Sequence, residues 1–274
     1  MSTQSVIPTC YRHPDRETRL SCSNCGRPVC VECVRPAAVG QRCLECATEG
    51  GGQRVVGMDE VTRSADRLPP VTLAVLVISA AVFAAGLLVP TLDRMIGVWL
   101  AQINPYVAQG EWWRLLSAAF LHGGFVHLAF NMYALYLFGP ELERRVGSGS
   151  FAAMYVASAI AGGAAFYVAE PNGIAVGASG AVFGLFGAWL VASYRGRHTV
   201  VGRQSLRQLL ILLGINAALG LMPGLRIAWQ AHLGGLVAGA IITFLWTMPA
   251  IQRRPAARVA VAAVVGAVAL APVI

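Results

Sequence analysis

Apolar residues along this chain come in long blocks. Runs at about 71–89, 151–169, 179–194, 206–222 and 231–249 are nearly free of charge. A helix needs roughly 20 apolar residues to cross the hydrocarbon core of a bilayer, so each run predicts a membrane span. A sixth run, at about 124–139, is interrupted by His127 and Asn131; a seventh, at about 257–274, is short. Between the first two spans, residues 90–123 carry Trp99, Trp112 and Trp113 with Pro90 and Pro105. Tryptophan favours the membrane–water interface, so this stretch predicts a folded loop at one surface. Residues 1–49 contain no long apolar run, and 50–70 mix Gly, Pro and both signs of charge as a linker does. The expected fold class is an all-α polytopic membrane protein, with a six-helix core over 71–249. A loop and a seventh helix follow at 250–274, and a small domain precedes at 1–49.

Composition supports this reading. Only 12% of residues are charged and 56% are hydrophobic, with a mean hydropathy of +0.61; a soluble globular chain is about a quarter charged. The net charge of +8 comes from Arg alone, since the chain has no Lys. These Arg residues lie between apolar runs, a pattern of topology control, and no nucleic-acid partner is expected. With the N-terminus inside, the cytoplasmic segments hold Arg54, Arg63, Arg67, Arg144, Arg145, Arg195, Arg197, Arg203, Arg207, Arg253, Arg254 and Arg258. The other side holds Arg94, Arg114 and Arg226. The positive-inside rule therefore places the N-terminus in the cytoplasm. The first 67 residues have no apolar signal core, so the first run is expected to be an uncleaved anchor.

Four polar residues stand where lipid would penalise them: His127, Asn131, Ser179 and His232. Such residues within spans are functional candidates by default. The topology puts all four in the outer half of the membrane. A Ser hydroxyl needs a neighbouring base to become a nucleophile, and His is the usual one. Gly180, Gly184 and Gly187 thin one helix face; Gly235 and Gly239 thin another. Small residues at this spacing let membrane helices approach closely, which would bring Ser179 within reach of His232. His127 and Asn131, four apart, share a helical face. With the Ser179 backbone N–H they could receive an oxyanion.

Taken together, these motifs resemble the rhomboid family of intramembrane serine proteases over about 71–249. The resemblance rests on Glu111-Trp112-Trp113-Arg114, His122-x4-His127-x3-Asn131 and Glu141-x-Glu143-Arg144-Arg145-x-Gly147-Ser148. It rests also on Gly177-Ala178-Ser179-Gly180 and Ala231-His232-x2-Gly235-x3-Gly239. It implies a Ser179–His232 dyad without a third acid and an acyl-enzyme in an outward-opening cavity, with transmembrane protein substrates cut near their outer ends. His127, Asn131 and Gly177 would support the oxyanion. Phe183 would pack on His232 where many relatives place Tyr. The expected setting is the plasma (inner) membrane of a bacterium, with the lipid bilayer as surroundings. A competing reading, a catalytically inactive scaffold that binds transmembrane clients, stays open. A transporter lacks its usual pointers of internal repeats and charged pathway residues.

The N-terminal 49 residues hold four pairs: Cys10-x2-His13, Cys22-x2-Cys25, Cys30-x2-Cys33 and Cys43-x2-Cys46. Eight such ligands suit two tetrahedral zinc ions, and so small a segment needs metal to fold. An odd number of Cys in a reducing compartment argues against disulfides. The spacing resembles B-box-type or cross-braced fingers, which implies pairing one with three and two with four; sequential pairing stays open. Binding of a protein partner or substrate is the favoured role. Arg12, Arg16, Arg19 and Arg27 offer anionic lipid headgroups as an alternative. No cofactor is expected in catalysis.

Overall fold

The computed structural model describes residues 7–37, 40–49, 67–220, 222 and 227–274. Residues 50–66 of the expected linker, with Arg54 and Arg63, lie outside the described residues, as does Arg226. The chain divides into two compact units, Met1–Arg67 and Leu68–Ile274.

In the first unit, strand β1 (Val34–Pro36) pairs antiparallel with β2 (Gln41–Cys43), and helix α1 (Leu44–Glu49) follows. Its core is made of the cysteines other than the exposed Cys25, with Val29, flanked by Tyr11, Leu20, Val34 and Leu44. So few apolar side chains give little burial to oppose chain entropy. Gly26, at φ 75°, turns the chain after Cys25 so that its N–H returns to Cys22 O at 2.8 Å.

The second unit is helical. Its elements are α2 (Pro70–Leu88), α3 (Pro90–Leu100), β3 (Gln102–Ile103), α4 (Asn104–Val107), α5 (Arg114–Ser117) and α6 (Phe125–Val146). Then come α7 (Ser148–Ala169), β4 (Ile174–Ala175), α8 (Ser179–Arg195), α9 (Val200–Gly220), α10 (Trp229–Trp246), α11 (Pro249–Gln252) and α12 (Pro255–Leu270). Every apolar run read from the sequence is a helix here. Among the described residues, α2, α7 and α10 are long and apolar enough to cross a membrane. A fourth span counts if Arg114–Phe120 and α6, bent by 96° at their junction, are taken as one.

Helix ends differ from the apolar runs for physical reasons. Helix α6 continues past residue 139 through Pro140 to Val146, because Glu141, Glu143, Arg144 and Arg145 extend it beyond the apolar block. Helix α9 starts at Val200 rather than near 206, with Thr199 Oγ1 accepting from Gly202 N at 3.0 Å as a cap. The seventh helix, α12, has 16 residues; at 1.5 Å each that is about 24 Å, short of a roughly 30 Å hydrocarbon core.

Helix α7 is the central element and packs against α8, α10 and α12. Glu143, 1% exposed, ties three helix ends together. It accepts from Val71 N (3.0 Å), Thr72 N (2.8 Å), Thr72 Oγ1 (2.7 Å) and Ser148 Oγ (2.7 Å). The first two are N–H groups that a helix start leaves unpaired. The long loop is knotted by Arg114, 2% exposed, which binds the Glu111 carboxylate and donates to Val98 O and Ala101 O, both at 2.8 Å. Strand β3 then pairs with β4, joining this loop to the segment just ahead of Ser179.

Candidate active site and metal clusters

Ser179 opens helix α8, and His232 lies in the first turn of α10. The two helices run parallel in backbone contact. A Cβ added at Gly235 would fall on Gly180 O, and one at Gly239 on Gly184 O. One at Gly187 would fall on Leu236 O. Gly162 of α7 closes the third side, since a Cβ there would lie 2.7 Å from Ala231 O and 3.1 Å from Gly180 Cα. The thin faces read from the sequence are thus the faces that meet.

Phe183, one turn below Ser179, stacks its ring on His232 at 4.1 Å between centroids and 11° between planes. That contact fixes the imidazole plane under the start of α8. Ser179 and His232 are both half-buried, and no hydrogen bond joins them among the described residues. Catalytic hydrogen bonds are often loose before substrate binds. Glu170 meets Gln230, two residues before His232, at 3.2 Å, and no carboxylate hydrogen-bonds to the His232 ring among the described residues.

His127 lies against Gly177. A Cβ at Gly177 would sit 2.7 Å from both His127 Cε1 and Nε2, and the φ of 126° there independently favours glycine. Gly123 N donates to His127 Nδ1 at 3.4 Å. A neutral ring accepting at Nδ1 carries its proton on Nε2, so the donor faces Gly177 and the start of α8. Asn131, 6% exposed, gives one amide hydrogen to His127 O at 2.9 Å. This bond braces the His127 turn and leaves one amide hydrogen of Asn131 for other use. The rings of His122 and His127 meet edge-on at 5.3 Å. The first N–H groups of α8 lack helical partners and form its positive end. Around Ser179 the site therefore offers a hydroxyl, an imidazole and several N–H donors.

A small cavity of ≈ 30 Å³ opens beside Ser179; its lining includes Gln102, Ala118, Ala159, Gly163, Gly180 and Ala231. Gln102 escaped the sequence reading. The available signal was two amides, Gln102 and Asn104, in an otherwise apolar stretch before Pro105. The sequence places Glu143 in the turn motif after the second span, but does not show its buried role as an acceptor for four donors.

In the first unit the ligand atoms of Cys10, His13, Cys30 and Cys33 lie within 4.8 Å of one another, and so do those of Cys22, Cys25, Cys43 and Cys46. The pairs join one with three and two with four. His13 Nδ1 is 3.4 Å from both Cys30 Sγ and Cys33 Sγ, and Cys25 Sγ is 3.7 Å from Cys43 Sγ. A tetrahedral ion at about 2.3 Å from sulfur gives ligand–ligand edges of about 3.8 Å, so both clusters fit a metal ion of that geometry. The Cys22 thiol is pushed down to about 6, first by the Cys25 backbone N–H directed at it. Burial and the sulfurs of Cys30 and Cys10 push the Cys33 thiol up to about 11. Crowded thiolates of this kind need a cation to ionise together.

Comparison with known proteins places these features in context. Residues 109–249 match the Rhomboid domain. YdcA of Bacillus subtilis (strain 168), whose name places it among rhomboid proteases, is 39% identical over 152 residues, covering 54% of this chain and 75% of YdcA. The rhomboid protease GluP of the same bacterium is 41% identical over 139 residues, 51% of this chain but 27% of GluP. RHOMBOID-like protein 5 of Arabidopsis thaliana is 37% identical over 147 residues, 51% of this chain and 45% of that protein. The chain thus spans three quarters of YdcA and less than half of the other two.

Proposed function

The chain belongs to the rhomboid family of integral membrane proteins, and on that premise we propose that it is a serine endopeptidase that cuts transmembrane helices of other membrane proteins. Ser179 is the nucleophile and His232 its general base. The observation that carries this reading is the glycine-on-glycine contact of α8 and α10, which sets the start of one helix beside the first turn of the other.

His232 takes the Ser179 hydroxyl proton as Oγ attacks the scissile carbonyl. Negative charge collects on the carbonyl oxygen, where the Ser179 N–H, His127 Nε2–H and the spare Asn131 N–H receive it. Collapse breaks the peptide C–N bond, and the leaving amine takes the proton from His232. Water, deprotonated by His232, then attacks the acyl-enzyme ester and restores the Ser179 hydroxyl. Phe183 holds the imidazole plane through both steps.

The N-terminal unit is a cross-braced finger with two structural zinc ions, and its favoured role is binding a protein partner or substrate. The domain limits are residues 1–49, a linker to 70, a catalytic membrane domain over 71–249, and a loop with a seventh helix over 250–274. Arg144, Arg145, Arg195, Arg197, Arg203, Arg207, Arg253, Arg254 and Arg258 all lie near the helix ends remote from Ser179 and His232. This supports a cytoplasmic N-terminus and a site opening outward; the proposed setting is a bacterial plasma membrane.

The test is cleavage of a tagged single-span substrate in liposomes by wild type, Ser179→Ala and His232→Ala. Product from wild type alone, with a serine-reactive probe labelling Ser179, is the expected result. No product across several substrates and no labelling would overturn the protease reading in favour of the scaffold.

A further inference from the structure

Gln102 is 2% exposed and lines the cavity that borders Ser179. Its amide orientation is forced by a chain of bonds. Glu170 O is a pure acceptor, and Asn104 Nδ2 donates to it at 2.6 Å. Asn104 must therefore turn Oδ1 toward Gln102, where Gln102 Nε2 donates to it at 2.8 Å. The second Nε2 hydrogen goes to Gly163 O, also at 2.8 Å. Both donors of Gln102 are thereby used, and Oε1 is left with its lone pairs and no hydrogen bond among the described residues. Oε1 lies close to Gly163, 2.8 Å from where a Cβ there would stand, and Gly163 lines the same cavity.

Apart from Ser179, the other walls are Leu115, Val176 and small residues, among them Ala118, Ala159, Gly163, Gly180 and Ala231. A space of ≈ 30 Å³ takes one or two waters or a short side chain. A held acceptor beside such a space favours an occupant that brings a donor, because one that displaces water without donating leaves the acceptor unpaired.

We propose that Gln102 is a specificity-determining residue: among the small side chains the cavity admits at the attacked carbonyl, its fixed amide oxygen selects serine over alanine. This rests on the protease reading above. Serine fills the cavity and donates to Oε1. Alanine fits, but its methyl cannot donate. The thiol of cysteine is a weak donor and ranks between them. Valine exceeds the space. One net hydrogen bond sets the scale of discrimination, roughly 2- to 10-fold in kcat/KM for serine over alanine.

The experiment uses the full-length protein in proteoliposomes with a single-span substrate series differing only at that residue: Ser, Cys, Ala and Val. Wild type is expected to rank them in that order. In Gln102→Met, near-isosteric but without the amide, the Ser-to-Ala ratio should fall to about one. A merely structural role for Gln102 would slow both substrates together and leave the ratio intact, which would overturn the proposal. Equal cleavage of Ala and Ser by wild type would overturn it without any variant, so a Gln102→Met chain that fails to fold does not protect it. If wild type cuts none of the series and Ser179 takes no probe, the protease reading falls first and this inference goes with it.

Discussion

The contact between α8 and α10 makes a prediction that needs only one added methyl. In Gly235→Ala the new Cβ falls on Gly180 O, with Gly180 C at 2.7 Å and Gly180 Cα at 3.2 Å. Ordinary carbon–carbon contacts lie at about 3.5–4.0 Å, and every atom met here belongs to backbone, which has no rotamer to yield. The helices must part by about 1 Å to restore that spacing. Overpacking of this kind destabilises by about 1–3 kcal/mol. The larger effect is catalytic, because a displacement of about 1 Å between reacting groups costs about 100-fold in rate. Ser179 is the residue before Gly180, and His232 lies three before Gly235, so the displacement acts where the dyad meets. Gly214→Ala is the matched control: it lies within α9, and a Cβ there meets nothing within 4 Å. Single-turnover cleavage in proteoliposomes, with thermal unfolding recorded alongside, should give Gly235→Ala about 100-fold slower than wild type. Gly214→Ala should stay within about twofold, as expected of an exposed helix position away from packed features. A Gly235→Ala protein that folds normally and cleaves within about threefold of wild type would refute the geometric argument.

Two further predictions concern stability and metal. Glu143→Gln keeps one oxygen but turns an amide NH₂ toward donors that now lack an acceptor. Stranding Thr72 N and Thr72 Oγ1, or Val71 N and Ser148 Oγ, should cost about 2–4 kcal/mol at the junction of α2, α6 and α7. Its readout is a lowered unfolding midpoint in detergent, and an unchanged midpoint would count against the junction. The purified full chain should release two zinc ions on thiol modification, and Cys22→Ser with Cys25→Ser should release one. Release of two ions from that double variant would show that Cys22 and Cys25 hold no zinc.

How much of this molecule its sequence discloses depends on the contrast between a residue and its neighbours. His127, Asn131, Ser179 and His232 are conspicuous because lipid makes each of them expensive in an apolar run. The glycines of α8 and α10 are legible for the same reason: on an otherwise bulky surface their spacing marks a face. Glu143 has no such contrast. It stands among Glu141, Arg144 and Arg145, and only the packing of three helix ends reveals that four donors converge on it. The cysteine spacing defines pairs, but which pairs cluster is a matter of chain path: Ser23 N donates to Gln41 O at 2.7 Å, which draws the second pair to the fourth. Hydropathy marks how far an apolar face extends, not how far a helix does, so α6 and α9 both outrun their apolar blocks. Gln102 combines all of these obstacles. It lies in a loop, its partner amide is two residues away, and its value depends on β3 meeting β4 just ahead of Ser179. A residue that selects substrate from a loop is visible only once the loop's path is known. In a membrane enzyme the chemistry is therefore easier to read from sequence than the specificity: the first must sit in the apolar spans, and the second need not.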